Sequence, residues 1–175
     1  MSAESFETML SGGHHNSLGK TIEVVEIVLS NPTKLEELYN CYFCNDEVVR
    51  LRTSNAVKRI SKQHPDWLIS YIDRFVSQIS KIDQASAKWT LADLFLTLTS
   101  YMNQEQKAKA KEILKNNLQS SSDWIVLNNT MQTLAMWAKQ DFQLQQWLIP
   151  QLDRLCQDGR KSVARRAQKL QAQIR

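Results

Sequence analysis

The stretch 46-DEVVRLRTSNAVKRIS-61 decides the fold. Val49, Thr53, Ala56, Val57 and Ile60 follow one another in steps of four, three, one and three. That spacing puts five apolar or small side chains on one face of a helix. Asp46 stands just ahead of them, a residue type whose carboxylate accepts from the free N–H groups of a helix start. The same spacing then returns. In 84-QASAKWTLADLFLTLT-99 it falls on Ala87, Leu91, Leu94, Phe95 and Leu98. In 121-SSDWIVLNNTMQTLAMWA-138 it falls on Val126, Thr130, Thr133, Leu134 and Trp137. In 159-GRKSVARRAQKLQAQI-174 it falls on Val163, Ala167, Leu170, Gln171 and Ile174. The first residues of these sets lie 38, 39 and 37 positions apart. A helix that recurs at such a period belongs to a repeat that buries its apolar face on its neighbours.

Between these helices the helical period continues. Helices are expected over 19–30, 33–44, 46–63, 66–82, 85–102, 104–119, 122–140, 142–157 and 161–174. The breaks have local causes: Asn31-Pro32 and His64-Pro65, because a residue before proline avoids the α region, and Ser120–Ser122 and Asp158-Gly159. Pro150 inside a helical run predicts a kink rather than a stop. Connections this short join antiparallel neighbours.

Composition agrees. The chain has 175 residues, with 4 Gly and 3 Pro, too few turn residues for an all-β fold. Charged residues make up 23% and the net charge is +4, which permits an acidic partner without requiring one. Three cysteines, Cys41, Cys44 and Cys156, fit a reducing compartment. The opening MSAESFETML has two Glu and no basic residue, unlike a targeting peptide, and no apolar run approaches the roughly 18 residues of a membrane span. The expectation is a cytoplasmic protein with no membrane segment.

DEVVRLRTSNAVKRI and KSVARRAQKL resemble the second helix of HEAT repeats, with armadillo-like arrays close by. They share a polar or acidic start, a Val-Arg-like pair, then small and large apolar residues. The resemblance covers about residues 33–175, taking about 40 residues per unit as the ruler. In the middle units Lys88 and Leu127 replace the arginine. The resemblance implies an all-α fold, a right-handed α-α superhelix of about four hairpins with a concave binding face. It implies no chemistry.

The stretch SGGHHNSLGKT, Ser11 to Thr21, ends like a nucleotide-binding P-loop but lacks its spacing. His14 stands where the first glycine is needed, and no parallel strand precedes it. It reads as a linker, so residues 1–18 are expected to be flexible, with a single domain over 19–175. Cys41 and Cys44 read as packed helix thiols, since finger-like ligand spacing is missing. His64 reads as a capping residue beside Pro65. Trp67, Trp124 and Trp147 are expected to seal repeat junctions, and Trp89 to be partly exposed. KWTLADLF, with Trp89 one turn before Asp93, is similar to the aromatic–Asp element of HEAT-like alkylpurine DNA glycosylases. That family's downstream arginine is replaced by Asn128, Asn129 and Thr130. Two basic clusters remain: Arg50, Arg52, Lys58, Arg59 and Lys62, and then Arg160, Lys161, Arg165, Arg166, Lys169 and Arg175. Lys161, Arg165 and Lys169 form a stripe that reads as the solvated side of a capping helix.

The sequence thus predicts a non-catalytic scaffold that needs no cofactor or metal and binds a protein partner. The predicted face comprises Arg52, Trp89, Thr90, Asn128, Asn129, Arg165 and Arg166. The alternative is a nucleic-acid binder, including the glycosylase variant.

Overall fold

Several helices begin where the sequence supplies a side-chain acceptor. Asp46 accepts from the backbone N–H groups of Val48 (2.8 Å) and Val49 (3.4 Å). Asp123 does the same for Ile125 and Val126, and Asp141 for Leu144. Asn103 and Gln106 form a reciprocal capping box. The computed structural model describes residues 2–175, and all of its regular structure is helical. In chain order the α-helices are α1 (Phe6–Leu10), α2 (Thr21–Ser30), α3 (Leu35–Asn40), α4 (Glu47–Gln63), α5 (Ile72–Ser77), α6 (Ala85–Thr97), α7 (Gln104–Ser120), α8 (Trp124–Ala138), α9 (Phe142–Leu155) and α10 (Lys161–Ile174). The helix expected over 66–82 is instead α5 flanked by two 3₁₀ segments, Pro65–Tyr71 and Ile79–Lys81. α9 runs through Pro150 without a stop.

The chain divides into two compact units, one reaching Arg74 and one from Phe75 to Arg175. The stretch 19–175, expected as a single domain, spans both. In the first unit α2 packs on α4, and α1 packs on α2, α3 and α4. Val24, Val28, Leu38, Val49, Ala56 and Ile60 are completely buried there. The Arg74 guanidinium forks onto the Glu36 carboxylate (2.7 and 2.8 Å) and lies over the Tyr39 ring at 4.0 Å. Tyr71 donates its hydroxyl to the same carboxylate at 2.9 Å.

In the second unit α8 is the hub, packed against α6, α7, α9 and α10. The repeating register is its core. Across both units every register position is buried except Trp137 and Gln171, which are half-buried. α8 is joined to α6 and to the turn that follows it by side chains that reach back about one sequence period. Asn129 donates to the Trp89 carbonyl (3.3 Å), Thr133 to the Ala92 carbonyl (2.8 Å) and the Trp137 indole N–H to Thr99 Oγ1 (2.9 Å). α10 is joined to α8 in the same way, Arg166 donating to Gln132 at 2.8 Å.

The segment expected to be flexible is packed. Phe6 and Leu10 of α1 are 2% and 0% exposed, because Phe6, Met9 and Leu10 form a small apolar face. The loop after α1 is closed around one side chain. Arg52 donates to the carbonyls of Leu10 (2.8 Å), Ser11 (3.3 Å), Gly12 (2.7 Å), His14 (3.1 Å) and Ser17 (3.0 Å). Gly12, Gly13 and Gly19 take positive φ to make the turns. A Cβ on Gly19 would lie 2.8 Å from Arg52 Nη1. A P-loop aims N–H groups at an anion. This loop aims C=O groups at a cation.

Candidate functional site

Of the seven residues of the predicted binding face, three are buried, three are half-buried and one is exposed. Arg52 is 2% exposed and occupied by the loop carbonyls. Thr90 (1%) and Asn128 (7%) are buried. Trp89 and Asn129 are half-buried and bonded through the Asn129 amide, and Arg166 is half-buried and held by Gln132. The physical reason is shared. Arg52, Thr90, Asn129 and Arg166 occupy one register position, and at three of the four the side chain reaches the preceding structure 34–42 residues back. At these three positions the polar group bonds to an earlier segment of the chain instead of facing outward. Arg165 alone of the seven is exposed.

The other singled-out residues have equally definite places. Cys41 is buried, which pushes its thiol pKa up to about 12, and Cys44 is half-buried; both are free thiols. No group of three or more His, Cys, Asp or Glu side chains able to hold a metal occurs among the described residues. His64 caps the end of α4, its backbone N–H donating to the Ile60 carbonyl, and its ring stacks on Trp67, ring centres 4.0 Å apart. Trp124, expected to seal a junction, is 50% exposed at the start of α8. Trp147 is half-buried beneath the Lys115 ammonium. Asp93 is half-buried on α6. At the P-loop-like tail, Lys20 pairs with Glu4 at 2.8 Å.

Two surfaces of the second unit remain open. The first is a cleft of about 720 Å³ between the ends of α6 and α8 and the starts of α7 and α9. Leu96, Ala108, Met136, Trp137 and Phe142 supply its apolar wall, and Lys107, Lys111 and Asp141 its charges. Lys111 binds Asp141 at 2.6 Å, and that ammonium, with the N–H groups that open α9, holds the Asp141 carboxyl below the usual range. The Trp137 N–H is already spent on Thr99, so its ring offers only apolar surface. Met136 and Phe142 are 40% and 69% exposed. Little in the sequence signals this cleft, because Met136 and Phe142 lie off the repeating register and converge only through the helix packing.

The second surface is the outer side of α10. Lys161, Arg165 and Lys169 are exposed, and their side chains make no ion pair or hydrogen bond among the described residues. The neighbouring cations are occupied: Arg160 by Asp158 (2.8 Å) and Arg175 by Asp153 (2.8 Å). No helix is long and apolar enough to cross a membrane among the described residues. No family model, curated protein or solved structure matches the chain.

Proposed function

We propose that the protein is a HEAT-like helical scaffold that binds a protein partner without catalysing a reaction. Support for the HEAT-like reading comes from the recurring register and from the back-reaching bonds that join α6 to α8 and α8 to α10. The binding reading rests on one observation above all: the cleft of about 720 Å³ whose apolar wall includes the exposed Met136 and Phe142. Exposed apolar side chains gathered at a concave site mark a place where a partner buries surface. Methionine and an aromatic ring are also side chains that adapt to and anchor a partner.

The site differs from the predicted face. The second helices contribute through their ends, with Leu96 on α6 and Met136 and Trp137 on α8, rather than through Arg52, Thr90 and Asn128.

The test is affinity capture with mass spectrometry, followed by calorimetric titration of the captured protein. Phe142→Asp and Met136→Glu change exposed positions and should leave the melting temperature close to wild type. Each should weaken the partner at least tenfold. Undiminished binding by both variants would remove the cleft as the interface.

A further inference from the structure

We infer that the outer side of α10 is a docking strip for an acidic helical segment of a protein partner. It deepens the scaffold reading and rests on it, but uses a surface separate from the cleft. Lys161, Arg165 and Lys169 step by four residues, so their side chains leave the helix at intervals of about 6 Å over a length of about 12 Å. Carboxylates at every fourth position of a partner helix have the same interval. The strip is already free of internal partners, while the cations at either end are not. Gln168 is exposed beside it and adds an amide donor, and the exposed Ala172 leaves room at its far end. Its apolar opposite side, Val163, Ala167, Leu170 and Ile174, is buried against the second unit, so the cations sit on a fixed backbone rather than a mobile tail.

The limits of the strip favour an acidic helix over a nucleic acid. Asp158 precedes it and Asp153 sits at its far end, holding Arg175. A phosphate backbone continuing past three cations would meet only these neutral ion pairs and gain no further free cation. A segment of three helical turns needs none. Three cations also fall short of the 6–10 phosphate contacts, roughly, that give nucleic-acid binding its strength. Exposed ion pairs are individually weak, and three together supply about tenfold to a hundredfold in affinity. The strip therefore sets register and encounter rate more than total affinity.

The experiment is an amide-resolved NMR titration of the full chain at low salt. The probe is a helical peptide with glutamate at every fourth position, and the control is its glutamine counterpart. The expected result is shifts confined to residues 161–172, absent with the glutamine peptide. Binding should fall at least tenfold in the triple variant Lys161→Ala, Arg165→Ala, Lys169→Ala. The charge-matched triple Lys58→Ala, Arg59→Ala, Lys62→Ala should bind as wild type, and the α10 triple should melt near the wild-type temperature because its three groups are exposed and unpaired among the described residues. Shifts spread equally over both basic clusters would overturn the inference, as would tighter binding of duplex or single-stranded DNA to the same residues. Silence of α10 toward the peptide would overturn it too. The cleft reading would survive that silence, since its own readout is Phe142→Asp.

Discussion

Replacing Arg52 with methionine should loosen the whole segment from Leu10 to Thr21. The change keeps most of the apolar stem and removes every donor to the five loop carbonyls. A hydrogen bond to a charged group contributes about 1.5–3 kcal/mol net. The five are not additive, since they share one guanidinium. Ser11, Gly12, His14 and Ser17 are exposed residues, so most of the freed carbonyls regain water. One or two bonds' worth is a reasonable net, or about 2–4 kcal/mol. For a chain of this size that lowers the melting temperature by about 4–16 °C. Lysine should restore less than half, because one ammonium cannot reach carbonyls spread around a planar fork. Two glycine variants separate the clamp from general loop strain. Gly12→Ala meets open space at φ 74 and suffers only the left-handed penalty, about 1–2 kcal/mol. Gly19→Ala bears a similar penalty and also drives Cβ to 2.8 Å from Nη1, so it should be the more damaging. Thermal melts by circular dichroism read the stability, and hydrogen exchange over residues 11–20 reads the loop. If Arg52→Met melts within 1–2 °C of wild type, by the same scale of roughly 2–4 °C per kcal/mol, and its loop exchange is unchanged, the clamp is idle and the reasoning fails.

Acid should weaken the first unit through Glu36. The Arg74 guanidinium, helped by the Tyr71 hydroxyl, holds its carboxyl down to about 2 from 4.5. A depressed carboxylate contributes fully above its unfolded value, and that contribution is lost as pH falls from about 4.5 toward 2. The side chain is 52% exposed, so screening limits the effect to under about 1 kcal/mol. Urea midpoints between pH 5 and 2 should fall less steeply in Glu36→Gln, and identical slopes would contradict the assignment. Titration with Mg-ATP should give no binding heat. A micromolar site abolished by Lys20→Ala would reverse the reading of the Gly19-Lys20-Thr21 tail.

Much of the fold could be read from period alone, because the register residues bury themselves by simple helix geometry. Val49, Ala87, Val126 and Val163 needed no tertiary knowledge. The packing of α1 is not legible although Ser5 caps it and Phe6, Met9 and Leu10 recur at helical spacing, since one turn and a half carries too little apolar pattern. The burial of Arg52, Thr90 and Asn128 is illegible for a different reason. Arginine or asparagine beside an apolar stripe looks outward when only its own helix is considered. Arg52, Asn129 and Arg166 find acceptors 34–42 residues earlier, and nothing local announces them. The cleft is harder still, because Leu96, Lys107, Met136 and Phe142 come from four separate stretches of the second unit.

The clamp also orders events in time. The loop from Leu10 to Ser17 is templated by a side chain that lies 35–42 residues further along. A ribosome adding about 5–20 residues per second delivers that arginine some 2–8 s after the loop itself. During that interval Phe6, Met9 and Leu10 have no α4 to pack against, and the glycine-rich turns have no cation to close upon. The earliest-made part of the first unit is therefore among the last to take shape, and a nascent chain stalled before Arg52 should be cleaved by proteases within residues 11–20 while one stalled well beyond α4 is protected.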